Sequence, residues 1–155
     1  ARLSKELSDE YVIALRMHYL VSDNLNLEAY RGFVYDVSSY PNISELYLAT
    51  DILITDYSSV FFDYANLRRP ILFFVYDIEE YEDEIRGFYL DFKEVAPGPL
   101  INDNSELIKE IKNIDHNNFT LSKEYIEFVD KYCGLENGEA TIKVVKSFLK
   151  EKNQV

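Results

Sequence analysis

The stretch DILITDYSSVFFDYANLRRPILFFVY, residues 51–76, decides the fold class of this chain. Residues 51–56 form a short, mostly apolar run of the kind found in strands that are buried on both faces. Val60, Phe61, Tyr64 and Leu67 then recur at helical spacing, and a second apolar run follows the break at RRP. A strand, a helix and a second strand in this order predict a compact β–α–β unit with parallel strands.

The rest of the chain repeats the same alternation. Residues 11–19 and 32–38 are predicted strands, and NISELYLATD is a predicted helix that Asn42 or Ser44 can cap. Three amphipathic segments predict helices that close the chain: NSELIKEIKNI, SKEYIEFVDKY and GEATIKVVKSFLK. The predicted fold is α/β, a Rossmann-like parallel sheet flanked by helices, in a single domain over residues 1–155.

Composition narrows the classes of function. The chain is 47% hydrophobic, which is typical of a globular protein, and its net charge of −12 argues against a general nucleic-acid binder, because such proteins need a basic face. Cys133 is the single cysteine, which excludes an internal disulfide and favours a reducing compartment. No apolar run is long enough to span a bilayer. Because the sequence lacks an initiating Met, we expect a piece of a longer protein.

Polar side chains follow the predicted strands, where ligands bind in parallel α/β sheets. Ser58 and Ser59 lie where a helix should begin, and free backbone N–H groups there suit a phosphate. The competing interpretation is that Asp56 or Ser58 simply caps the helix. Asp63, one turn along, can accept hydrogen bonds from a ribose or can be a solvated helix residue.

Two further candidates are basic. Arg16 and His18 end the first predicted strand on one face, where an Arg can pair with phosphate and a His can act as acid or base. Alternatively, His18 is bonded to a loop carbonyl, and Arg86 only pairs with the neighbouring acids Glu82 or Asp83. No cluster has the spacing of a metal site, so neither metal nor cofactor is expected.

Sequence motifs that occur in a fixed order resemble one enzyme family. They are RMHY, the long segment DVSSYPNISELYLATDILITDYSSVFFDYANLRRPILFFVYDIEEY, RGFYLDF, PGPL and the closing ENGEATIKVV, with TDYSSVFFDYA at the centre. This set resembles the carboxyl-terminal half of the CDP-glycerol glycerophosphotransferase family, the bacterial polymerases and primases of teichoic acids. The resemblance covers residues 11–145.

The resemblance implies a GT-B architecture, in which two Rossmann-like domains enclose the active site and this chain is the donor-binding domain. By analogy, Ser58 and Ser59 hold the diphosphate and Asp63 contacts the ribose. His18 matches a histidine that is important for activity in the family. Arg16, with Arg86 and Gly87 of RGFY, completes the set of implied donor-binding residues.

The implied reaction is attack by a polymer hydroxyl on the glycerol-bearing phosphate of CDP-glycerol, or of a similar CDP-polyol, with release of CMP. The teichoic acid acceptor would bind through an amino-terminal domain, and the parent would work at the cytoplasmic face of the bacterial membrane. Two alternatives stay open. One is a stand-alone nucleotide-binding or regulatory module. The other is a receiver-like signalling domain, against which the Arg-Met-His ending of the first strand counts, because such domains need an acidic pair there.

Overall fold

The computed structural model describes residues 2–17, 26–78, 92–114, 119–135 and 137–152. Five parallel strands alternate with helices. The strands are β1 (Ile13–Leu15), β2 (Val34–Asp36), β3 (Leu53–Thr55), β4 (Ile71–Phe74) and β5 (Leu100–Ile101). The helices are α1 (Arg2–Leu7), α2 (Ile43–Ala49), α3 (Val60–Ala65), α4 (Phe92–Val95), α5 (Asn104–Asn113), α6 (Lys123–Phe128) and α7 (Ala140–Lys152), with a 3₁₀ turn at Glu28–Tyr30 and a π-helical turn at Val129–Cys133.

The strands form two hydrogen-bonded groups. In one, β1 pairs with β2, with Ile13 opposite Val34. In the other, β4 is central: β3 pairs on one side with Leu53 opposite Ile71, and β5 pairs on the other with Phe73 opposite Leu100. All three pairings are parallel, which confirms the predicted β–α–β unit from β3 through α3 to β4.

Alternate residues of β4 enter two different cores, as the strand period of two requires. Phe73 and Val75 are fully buried in a core that α3, α6 and the π-helical turn complete, and Phe61 and Phe128 contribute aromatic rings to it. Leu72 lies in the other core, with α1, α5 and strands β1 and β2. Helices therefore cover both faces of β4, and the α/β class predicted from the sequence is confirmed.

Local signals explain where several helices begin. The Asn42 side chain accepts a hydrogen bond from the Ser44 N–H at 3.1 Å and so caps α2, as predicted. Asp103 accepts from the N–H groups of Ser105 and Glu106 and caps α5. These bonds satisfy N–H groups that have no partner within the helix.

Gly98, in the Pro-Gly-Pro segment before β5, lies against the start of β4. A Cβ atom at this position would be 2.0 Å from the carbonyl oxygen of Ile71, so only glycine allows this approach. The two-residue strand β5 that follows was not predicted from the sequence. Helix α1 was not predicted either.

Helix α7 confirms the third closing helix, but its apolar face is not buried. Ile142, Val145, Phe148 and Leu149 are each at least half exposed in the part of the chain that the structure describes. Their helical spacing correctly predicted a helix with an apolar stripe, and the stripe faces solvent here.

Candidate functional site

The carboxyl ends of β3 and β4 bring polar side chains from two loops together. The Tyr57 hydroxyl, just after β3, donates a hydrogen bond of 2.8 Å to Asp77 Oδ1, just after β4. Burial raises the pKa of the Tyr57 hydroxyl, and the hydrogen bond and negative charge of Asp77 raise it further. Tyr57 therefore stays protonated and links the two loops at this edge of the sheet.

Asp56 shapes the turn between β3 and α3. Its Oδ1 accepts a hydrogen bond of 2.9 Å from the N–H of Ser58, which folds the backbone at the end of the strand. The N-cap position of α3 is occupied by Ser59, whose side chain makes no capping hydrogen bond. Both serines are exposed. Asp56 therefore shapes the turn, and neither Asp56 nor Ser58 occupies the N-cap position of α3.

Helix α3 is shorter than the sequence pattern suggested. It covers six residues, Val60–Ala65, although the apolar spacing continues to Leu67. Arg68 then takes a positive φ of 55°, a conformation that ends the helix before Pro70. With so few aligned peptide dipoles, the helix dipole offers an anion little, and the exposed hydroxyls of Ser58 and Ser59 are the donors at this turn.

Arg16 ties the end of β1 to the loop after β2. Its guanidinium donates to the Tyr40 carbonyl at 2.7 Å and to the Val37 carbonyl at 3.4 Å. Beside it, the N–H of Met17 donates to Ser38 Oγ at 3.0 Å. Arg16 is exposed, so part of its fork of donors fixes the loop while the remainder faces solvent.

Asp63 lies on the wall of an open cavity of about 520 Å³. The cavity is bounded by α2, by the outer side of α3 and by the π-helical turn. The described residues that line it are Ile43, Ser44, Tyr47, Leu48, Phe62, Asp63, Asn66, Leu67, Tyr132 and Cys133.

Two tyrosines of this cavity wall have unsatisfied hydroxyls. The Tyr47 and Tyr132 oxygens are buried and have no hydrogen-bond partner among the described residues. Burial raises the pKa of Tyr47, the nearby carboxylate of Asp63 raises it further, and Arg16 lowers it. Tyr47 is therefore electrostatically close to two of the predicted site residues.

Neither tyrosine was among the predicted site residues, because at helical spacing both are typical members of an apolar stripe. A phenol within such a stripe was the available signal, since a buried tyrosine hydroxyl usually finds a partner.

Side-chain hydrogen bonds fix the carboxyl end of α2, the helix that forms one wall of the cavity. Arg69 Nη1 donates to the carbonyls of Leu48 at 2.8 Å and Thr50 at 2.7 Å, at the carboxyl end of α2. The Tyr64 hydroxyl donates to the same Thr50 carbonyl at 2.9 Å. Burial raises the pKa of Tyr64 to about 12, so this donor keeps its proton at neutral pH.

A second cavity, of about 410 Å³, lies at the opposite end of the sheet. Pro70 and Ile71, at the amino end of β4, line it together with Gly98 and Pro99 before β5. Parallel α/β sheets bind ligands beyond the carboxyl ends of their strands, so this cavity is not the candidate site.

Three predicted site residues lie outside the residues that the structure describes: His18, Arg86 and Gly87. Among the described residues, no group of three or more His, Cys, Asp or Glu side chains could hold a metal ion. In the same part of the chain, no helix is both long enough and apolar enough to cross a membrane.

The sequence of this chain is similar to those of teichoic acid enzymes. The chain is 52% identical over 149 residues to the teichoic acid poly(glycerol phosphate) polymerase of Bacillus subtilis (strain 168), an alignment that covers 96% of this chain and 20% of that protein. It is 45% identical to the teichoic acid glycerol-phosphate transferase of Staphylococcus aureus (strain NCTC 8325 / PS 47), covering 96% of this chain and 38% of the relative. The chain thus spans well under half of these relatives.

Solved structures agree with the sequence comparison. The wall teichoic acid polymerase TagF superposes with a TM-score of 0.84 at 46% identity, over 98% of this chain and 38% of that one. A variant of TagF soaked with CDPG gives a TM-score of 0.85. Residues 1–150 match the family described as CDP-Glycerol:Poly(glycerophosphate) glycerophosphotransferase, and the chain belongs to that family.

Proposed function

We propose that this chain is the donor-binding domain of a CDP-glycerol glycerophosphotransferase. Such an enzyme transfers glycerol phosphate to a teichoic acid chain and releases CMP. The observation that carries the proposal is the family match over residues 1–150, which spans nearly the whole of the described fold. The donor is CDP-glycerol or a similar CDP-polyol, since both glycerol and ribitol phosphate polymerases occur among the relatives.

The donor diphosphate would bind at the exposed hydroxyls of Ser58 and Ser59. They lie beyond the carboxyl end of β3, in the turn that Asp56 organises. Arg16, an exposed residue after β1, would supply a charged donor to a phosphate. Asp63 is four residues beyond Ser59 on α3, about one helical turn away, and would accept hydrogen bonds from the ribose.

Transfer needs a base for the acceptor hydroxyl and positive charge around the phosphates. The family resemblance assigns His18 as the residue that contacts the reacting atoms, and Arg86 and Gly87 as further donor-binding residues. These three assignments rest on the resemblance, because the residues lie outside the described ranges. Replacing His18 by Ala in the parent enzyme should lower polymerisation strongly, and a near-normal rate would contradict its role.

The acceptor would bind on another part of the parent protein, in the two-domain GT-B arrangement. The parent would work at the cytoplasmic face of the bacterial membrane. With a net charge of −12, this domain is a poor partner for anionic lipid headgroups. The other part of the parent would therefore supply the membrane contact.

The test is a titration of the chain with CMP, CDP-glycerol and UDP, followed by backbone amide chemical shifts. We expect shifts at Ser58, Ser59 and Asp63 that are larger for the cytidine ligands than for UDP. A double variant, Ser58→Ala with Ser59→Ala, should weaken CMP binding by about tenfold through the loss of two hydroxyl donors.

Ser147→Ala is the matched control, because Ser147 lies on α7 and its hydroxyl donates only to the local carbonyl of Lys143. It should bind CMP like the unmodified chain. Equal affinity of the double serine variant and the control, or shifts confined to residues far from the β3–α3 turn, would refute the assignment of the diphosphate site.

A further inference from the structure

The cavity between α2, α3 and the π-helical turn has the chemistry of a site for a neutral, hydroxyl-rich group. Its described lining includes the carboxylate of Asp63 but no Lys or Arg, so it disfavours a phosphate. The side-chain amide of Asn66 donates to the carbonyls of Phe62 and Asp63, which leaves its oxygen as a further acceptor on this wall. Acceptors beside apolar rings suit a sugar or a nucleoside, which presents hydroxyl donors on a largely apolar ring.

The two buried tyrosine hydroxyls without a hydrogen-bond partner support the same kind of ligand. Each buried tyrosine oxygen that lacks a partner destabilises the free protein, and the cavity wall carries two of them, Tyr47 and Tyr132. The hydroxyl of a tyrosine both donates and accepts, so a ligand hydroxyl can satisfy either need after a small side-chain rotation. The rings of Tyr47 and Tyr64 meet edge to face at a centroid distance of 5.8 Å, which braces Tyr47 from the side of α3.

The cavity adjoins the proposed diphosphate site along α3. Ser59 and Asp63 are four residues apart and share one face of α3, and Asn66 continues this stripe into the cavity. A nucleotide whose phosphates lie at the β3–α3 turn therefore reaches the cavity with its next group, the ribose.

We propose that this cavity holds the nucleoside half of the donor and that Tyr47 and Tyr132 are specificity-determining residues that recognise its ribose hydroxyls together with Asp63. The inference rests on the proposed donor-binding function. It adds to it two residues and a criterion of recognition: the site distinguishes ribose from deoxyribose. A pocket built to bond a hydroxyl discriminates strongly against an analogue without it, because its own polar groups are then left unpaired.

The experiment compares the affinity of the chain for CMP and for 2′-deoxy-CMP by isothermal titration calorimetry, in parallel with amide shifts. CMP should bind about tenfold more tightly than its deoxy analogue. Tyr47→Phe and Tyr132→Phe should each weaken CMP binding by about threefold to tenfold and reduce the preference for ribose. Tyr35→Phe is the matched control, because Tyr35 is an exposed residue of β2 outside the cavity.

The outcomes separate the two levels of the proposal. If both cavity variants keep the affinity and ribose preference of the Tyr35→Phe control while Ser58 and Ser59 still respond to CMP, the diphosphate site stands and the role of the tyrosines is overturned. That result would mean that ordered water satisfies the two hydroxyls. If no residue responds to CMP at millimolar concentration, both are overturned. If a cavity variant fails to fold, its hydroxyl was not orphaned and the premise is wrong.

Discussion

The cleanest physical test of the cavity wall is a pair of Tyr→Phe substitutions on adjacent rings. Tyr47 and Tyr64 contact each other edge to face, and each variant removes one oxygen while it preserves that packing. Tyr64 is fully buried and its hydroxyl donates to the Thr50 carbonyl. The Tyr47 hydroxyl is buried without a partner among the described residues.

The expected loss for Tyr64→Phe follows from what its partner retains. The Thr50 carbonyl also accepts from Arg69 Nη1 at 2.7 Å, so the substitution does not leave this oxygen unbonded. The net value of one neutral hydrogen bond then applies, which is about 1 kcal/mol of unfolding free energy. In a chain of 155 residues that corresponds to a decrease in melting temperature of about 2–4 °C.

Tyr47→Phe should behave in the opposite way. The hydroxyl that it removes gains nothing from the folded state and loses its hydration there, so its removal should leave stability unchanged or raise it by up to about 1 kcal/mol. The same variant should weaken binding of CMP. Loss of ligand affinity without loss of stability is the combination expected of a residue whose hydrogen bond is reserved for a ligand.

Urea unfolding followed by far-ultraviolet circular dichroism measures both variants, with equal m-values as the check that the unfolded states are comparable. A Tyr47→Phe variant that is destabilised as much as Tyr64→Phe would show that the Tyr47 hydroxyl already has a partner in the free protein. The argument from an orphaned hydroxyl would then fail, whatever the ligand affinities are.

Three further outcomes follow from contacts around the site. Arg69→Ala should cost about 2 kcal/mol of unfolding free energy, because it removes a charged donor from the carbonyls of Leu48 and Thr50 at the carboxyl end of α2. Arg69→Lys should recover only part of this, since lysine lacks the planar fork of donors; urea unfolding and amide exchange of α2 measure both variants. Gly98→Ala should lower the free energy of unfolding by about 3 kcal/mol, because the new Cβ would overlap the Ile71 carbonyl. The control Gly138→Ala has open space around it but a φ of 78°, and should cost about 1 kcal/mol. Similar losses for the two variants would contradict the close contact inferred at Gly98. Stability should fall as the pH rises from about 10 to about 12. Burial raises the pKa of Tyr64 in the folded state to about 12, so the tyrosine of the unfolded state loses its proton first. Thermal melts across this range should show a smaller fall for a Tyr64→Phe variant.

The sequence predicted those parts of the fold that local patterns determine. Two apolar runs around a helical pattern specified β3, α3 and β4, and the parallel register of Leu53 with Ile71 follows from that order. Caps are equally local, as Asn42 shows. Strand β5 escaped prediction because it has two residues and its existence depends on Gly98 approaching the backbone of β4, a contact between distant segments.

The candidate site was predictable in position but not in full composition. The carboxyl ends of parallel strands lie at one edge of the sheet, so the order of the strands in the chain places Tyr57 and Asp77 at the same edge. The placement of Tyr47 and Tyr132 in one cavity wall could not be anticipated, because a helical stripe shows which residues face inward but not which element they contact. Tyr47 and Tyr132 come from helical segments separated by 85 positions, and only the packed fold shows that both border the cavity of Asp63.

Hydrogen bonds within the turn at residues 56–59 prepare it for a ligand. Asp56 bonds the backbone N–H of Ser58, and Tyr57 bonds Asp77, so two of the four side chains are engaged in holding the loops. The remaining two, Ser58 and Ser59, stay exposed at the end of β3. A short helix contributes little dipole, so pre-organisation of these hydroxyls by their neighbours is what a phosphate would gain. Asp56→Ala should therefore weaken CMP binding even though Asp56 would not contact the ligand, while Asp51→Ala, a change of equal charge at an exposed position before β3, should not.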